Sequence, residues 1–199
     1  VWLARAAEVA VLAPVRVGDE LIGTTRVVGW RRVWARRRTE FNNADGMVVG
    51  WTHVDWVLID GRGAPTRIPS DFDAAFGAPQ ASFPLARVEL GEAPDDASWS
   101  TIDVRPQELD PMDHANNAVY ADWLDERVIN AGGDAGVAAI RAVPRFIRLE
   151  YARAAERDAT IRGVTWRDQD GVWSCRLDDG DGMDYLRARL EPAPPAPPA

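Results

Sequence analysis

Lysine is absent from the chain: all 23 basic residues are arginine, a compositional habit rather than a device. Cys175 is the only cysteine, which excludes an internal disulfide and any multi-cysteine metal site. Only His53 and His114 are histidines, too few for a His-rich metal site, so neither metal nor cofactor is expected. Positive charge is also in deficit. The 31 acidic residues leave a net charge of −8, which disfavours nucleic acid as a partner. No apolar run approaches the ~20 residues that span a bilayer. The opening segment carries Arg5 and Glu8 and ends at Pro14, unlike a signal peptide; no membrane association and a cytoplasmic location are expected. What is present is ordinary for a globular protein: 46% hydrophobic and 27% charged residues over 199 positions. That excludes a wholly disordered chain and leaves room for one medium domain or two small ones.

The pattern is strand-rich. Leu3–Leu12, Glu20–Trp30, Val33–Phe41 and Val48–Asp60 read as strands, with Asn42-Asn43-Ala44-Asp45-Gly46 as a hairpin turn. Within the fourth, Val48, Thr52, Val54, Trp56 and Leu58 alternate as a mostly apolar face. Ser70 or Asp71 would cap a short helix reaching Phe76. After an Ala/Pro/Gly-rich stretch, Trp99–Val104 is strand-like. From Asn116 to Asn130 the period changes to that of a helix, with Val119, Tyr120, Trp123, Leu124 and Val128 on one face and Gly132-Gly133 as the stop. Arg145–Tyr151, Ala159–Trp166, Val172–Leu177 and Asp184–Leu190 are four further strands.

The two halves share a rhythm. Four strands in the first match four in the second, but in the second they follow a strand and a long helix. The expected fold is α+β: a curved antiparallel sheet around a central helix, present once whole and once without its leading strand and helix. The first residue is Val1 rather than Met, so a fragment truncated at its N-terminus is expected. The boundaries are 1–77 for the incomplete repeat, 78–97 for a linker, 98–191 for the complete repeat, and 192–199 for a disordered Pro/Ala tail.

The chemistry concentrates in Glu108–Trp123, where Asp110 precedes His114 by four residues at the mouth of the helix. The first N–H groups of a helix lack internal partners and stabilise negative charge on a carbonyl oxygen. A nearby Asp could act on water, and a His could orient substrate or move a proton. Those parts suit hydrolysis of an activated acyl group. Asp and Asn before a helix are first of all caps, and local chemistry alone favours that structural reading over the catalytic one.

The pattern Asp110, His114, Asn116, Asn117, Tyr120 and Trp123 resembles the helix mouth of hotdog-fold acyl thioesterases. Gly18-Asp19-Glu20, the Arg-rich strand Arg31–Arg38, Trp56–Asp60 and Arg67–Phe72 are similar to the N-terminal hotdog of acyl-acyl carrier protein (ACP) thioesterases, and Leu149-Glu150-Tyr151 to the second. The resemblance implies a double hotdog that hydrolyses acyl-ACP to free fatty acid and holo-ACP in fatty acid biosynthesis. The alternatives are a non-catalytic acyl-thioester-binding module and a hotdog enoyl-thioester hydratase. It also implies a catalytic set from the second hotdog. Asp110 and His114 are retained, the family Asn falls on Met112, and the family Glu falls on Ala154. Glu156, two residues further along and on the same face, could substitute. The expected site is therefore Asp110, His114, Asn116 and Glu156, with the amides of Ala115, Asn116 and Asn117 holding the oxyanion.

Arg31, Arg32, Arg36, Arg37 and Arg38 form the densest basic cluster and could dock the acidic carrier protein. A solvated strand face paired with carboxylates explains them as well. His53 and Cys175 are expected to be structural, and Trp34, Trp51, Trp56 and Trp166 to be core between helix and sheet. The oligomer would be a monomer or a homodimer.

Overall fold

The computed structural model describes residues 1–78 and 85–194. Parts of the expected linker (79–84) and tail (195–199) lie outside the described residues. Two compact units emerge, Val1–Arg87 and Val88–Ala199.

The first unit holds four antiparallel strands, β1 (Trp2–Val11), β2 (Leu21–Arg31), β3 (Trp34–Asn43) and β4 (Val48–Leu58), in the order β2-β3-β4-β1. The single helix among its described residues is α1 (Phe72–Phe76). The β3–β4 turn forms as its residues dictate. Asn43 Oδ1 accepts the Asp45 and Met47 N–H groups, and Gly46 takes a φ of 80° that a side chain would oppose. Asp71 stands at the start of α1 but makes no side-chain cap. Trp30, Ala35 and Ile68 form a small core, joined by Trp2, Leu58 and Phe72.

The face expected to be apolar in β4 is only half-buried. The fully buried side chains Val49, Asp55 and Val57 alternate on the other face. The reason is an ion pair. Arg36, directly opposite Asp55 in the register, donates Nε and Nη2 to its two carboxylate oxygens at 2.6 and 2.7 Å, and the Ala86 N–H adds a third bond at 2.8 Å. Two strands and the segment after α1 close over that pair. Trp56 is no core residue either. It lines a cavity of about 380 Å³ with Trp2, Val27, Ala35, Phe72 and Phe76, and Trp34 and Trp51 are also only half-buried.

The second unit is a hotdog. Five antiparallel strands, β5 (Ser98–Asp103), β6 (Arg145–Tyr151), β7 (Thr160–Arg167), β8 (Trp173–Asp178) and β9 (Asp184–Glu191), run in the order β6-β9-β8-β7-β5. They pack on the helix α2 (Val119–Gly132), whose Tyr120, Trp123, Leu124 and Val128 are buried at the expected spacing. Cys175 is fully buried, and burial pushes its thiol up to about 11, so it is the inert core residue expected of it. Trp166 is buried but registers with Ser174, on the alternate face from Cys175.

One element was not expected. After Gly133, helix α3 (Asp134–Arg141) folds back on α2. Gly136 makes this possible, since a Cβ there would run into the Val128 carbonyl. Gly136→Ala is expected to lower the melting temperature by several degrees and to leave the far-UV spectrum unchanged, as checked by thermal unfolding. Among the described residues no helix is long and apolar enough to cross a membrane.

Candidate active site

The loop between β5 and α2 begins with a 3-10 turn at Pro106–Glu108 and reaches the helix only at Val119, three residues later than the periodicity suggests. Asn116 causes the delay. Its Oδ1 accepts the Ala118 N–H at 2.9 Å and its carbonyl accepts that of Val119, so it caps the turn ahead of the helix.

Asp110 shapes the loop. Its Oδ1 accepts the N–H groups of Met112 (2.8 Å) and His114 (3.2 Å), and its own N–H donates to the His114 carbonyl at 2.7 Å. The structural and the chemical readings of Asp110 thus meet in one carboxylate. One oxygen holds the turn, and the other has no partner among the described residues. Asp113 takes a left-handed φ of 65° between them. Arg157 holds it there with two bonds, and that guanidinium keeps the Asp113 carboxyl below its ordinary range.

His114 lies directly across from Glu156 in an isolated antiparallel bridge. The flanking bond runs from the Ala115 N–H to the Ala155 carbonyl at 2.8 Å, so His114 and Glu156 form a narrow, non-hydrogen-bonded pair. Such pairs set Cα atoms about 4.5 Å apart with both side chains on one face. The half-buried His114 ring makes no hydrogen bond among the described residues, and Glu156 is exposed. Asp110, His114 and Glu156 are therefore carried by one turn and its partner strand. Ala154 is exposed and Ala155 fully buried.

The three expected oxyanion amides do not survive together. Ala115 N–H is committed to Ala155, and Asn116 N–H to the Glu108 carbonyl at 2.8 Å. Both are consumed because the loop is pinned to its neighbours on either side. Asn117 N–H is the one left without a partner among the described residues. Its residue is steadied instead through its carbonyl, which accepts the Tyr151 hydroxyl at 3.2 Å.

Residues 91–189 match the acyl-ACP thioesterase C-terminal domain. Over that span the chain belongs to the acyl-ACP thioesterase family. No curated protein matches it in sequence. Among solved structures it is similar to a putative oleoyl thioesterase from Lactobacillus plantarum, with 17% identity, a TM-score of 0.78, and coverage of 98% of this chain and 77% of that one. It is likewise similar to the 12:0-ACP thioesterase from Umbellularia californica, with 23% identity, a TM-score of 0.76, and coverage of 96% and 74%. A MaoC-like dehydratase from Phytophthora capsici shares the fold at 14% identity and a TM-score of 0.58, with coverage of 98% and 72%.

The arginine cluster is not one surface. Arg36 is sealed against Asp55. Arg38 donates to Glu40 at 2.6 Å, lies over Trp51, and donates to His53 Nε2 at 3.0 Å. With Nε2 accepting, the His53 proton sits on Nδ1 and is given to Glu8 at 3.2 Å. His53 is thus a structural link between two strands. Arg37 faces the other way, over Trp56. Arg31 and Arg32, at the β2–β3 turn, are exposed and make no ion pair among the described residues. A strand alternates its faces, so five arginines close in sequence divide between two sides.

Sequence reasoning missed Tyr151, Tyr120 and Arg157 as supports of the site. Tyr120 accepts the Ala155 N–H at 3.0 Å and meets Tyr151 edge-on. Burial raises the ionisation of both phenols beyond their ordinary value, so both stay protonated. The signal was present for Tyr120, which belongs to the helix-mouth motif, and for Tyr151, in Leu149-Glu150-Tyr151, and absent for Arg157.

Proposed function

We propose that the chain hydrolyses acyl-ACP thioesters to free fatty acid and the thiol form of the carrier, in the cytoplasm, ending chain elongation in fatty acid biosynthesis. Water adds to the thioester carbonyl carbon, the C–S bond breaks, and the thiolate leaves with a proton. The uncommitted oxygen of Asp110 positions the water and takes its proton, His114 orients the thioester and protonates the sulfur, and Asn117 N–H faces the oxyanion. Glu156, opposite His114 and on the same face, substitutes for the family Glu that falls on Ala154. The observation that carries this reading is the His114–Glu156 pairing beside an Asp110 with one oxygen free. The carrier, acidic by nature, would meet Arg31, Arg32 and Arg37 rather than all five arginines.

The test is turnover of acyl-ACP measured beside its binding. Hydrolysis supports the reading. Binding without turnover selects the non-catalytic module, which Met112 and Ala154 at the family's Asn and Glu positions favour. Hydration of an enoyl thioester without hydrolysis selects the hydratase. Met112 is 66% exposed and offers no hydrogen bond from its side chain, so Met112→Asn is expected to raise kcat/KM several-fold by supplying a second polar group for the water. Steady-state kinetics of the two forms check this.

A further inference from the structure

The loop that carries His114 is closed at its base by Glu108, a residue to which the motif gives no part. Glu108 is 5% exposed. Its carbonyl accepts the Asn116 N–H, and the next pair inward, Leu109 and Ala115, forms an isolated bridge. Its carboxylate is fully engaged. Oε2 accepts the Arg105 N–H at 2.7 Å, while Oε1 accepts Arg105 Nε and Nη2 at 2.9 and 2.5 Å and the Trp123 indole N–H at 3.2 Å. The Arg105 bonds alone would complete a cap on the 3-10 turn. The Trp123 bond goes further, because Trp123 is on α2 and only 1% exposed. One residue thus joins α2, through its carboxylate, to the Ala115–Asn116 peptide, through its carbonyl.

We infer that Glu108 is a positioning residue: through Trp123 and Asn116 it fixes the His114–Asn117 segment against α2. Burial by itself would raise the Glu108 carboxyl, but the bonds from Arg105 and Trp123 hold it below its ordinary range, so the clamp stays charged and set. The inference rests on the reading of His114 and Asn117 as groups that meet the thioester, and its test separates the two.

The chain has only two histidines, so both ring-proton signals can be followed by NMR through a pH titration. Glu108→Gln keeps the shape and removes the charge. Trp123→Phe removes the indole N–H and leaves the charge, and it carries the test if the Gln variant does not fold. Both variants are expected to move the His114 titration midpoint by at least about 0.3 pH unit, in the same direction, with His53 unmoved. In acyl-ACP hydrolysis each is expected to lower kcat about tenfold with KM within about twofold, and the double variant to be no worse than the worse single. A His114 midpoint unmoved in Trp123→Phe overturns the inference, whether or not Glu108→Gln moves it. A moved midpoint in a chain whose wild type hydrolyses no acyl-ACP leaves the positioning intact and overturns the proposed reaction instead.

Discussion

His114→Ala is expected to lower kcat/KM for acyl-ACP about a thousandfold while leaving the melting temperature within a degree or two of wild type. General acid–base groups contribute about 10²–10⁴-fold, and the His114 ring holds no bond among the described residues whose loss would disturb the fold. Asp110→Asn should show a comparable loss for a different reason. The amide oxygen can still accept the Met112 and His114 N–H groups, so the turn keeps its form, but the second position no longer takes a proton from water. Asp110→Ala would be the poorer experiment, since it removes the turn and the base together. Retained turnover in both His114→Ala and Asp110→Asn, measured by release of free thiol, would remove this site from consideration.

The largest stability effect is expected far from that chemistry. Asp55→Ala should cost about 3–5 kcal/mol, because it removes the two-bond carboxylate partner of a buried guanidinium and leaves the Ala86 N–H without an acceptor. Asp55 is 2% exposed and Arg36 9%, so water cannot replace either partner. Arg36→Glu would do as much damage by placing two carboxylates where one pair is sealed, whereas Arg31→Glu and Arg32→Glu, at an exposed turn, should be close to neutral. Urea unfolding of the variants reads the difference. The contrast also bears on carrier binding. Weaker binding by an Arg36 variant would report a damaged sheet, while weaker binding by an Arg31 or Arg32 variant, with unchanged stability, would report a lost contact.

Much of the fold was written locally. β6 occupies the expected Arg145–Tyr151, and the other strands begin and end within two residues of where turn residues and alternation place them. Helix α3 was illegible because eight residues holding a glycine are a short stretch in which to see a period, and the close approach to the Val128 carbonyl that requires that glycine is a fact of tertiary packing. The buried face of β4 was misread for a similar reason. Alternation shows that two faces differ, but a charged Asp55 looks like a solvent residue until Arg36 is seen opposite it. At the candidate site, Asp110 and His114 stood out by their spacing before the helix, and Glu156 was reached only through the family resemblance together with strand parity. Which amides remain available could not, since that depends on bonds from Glu108 and Ala155 that only the folded loop creates.

The divided duty of Asp110 separates two kinds of descent for such a chain. A lineage that gave up turnover and kept only ligand capture would still need the aspartate, because the turn fails without it. The imidazole has no such architectural tenure, and on the proposed reaction it is retained for its work on the thioester. If the proposed reaction holds, the histidine is the residue whose loss would mark a descendant that no longer cleaves its ligand.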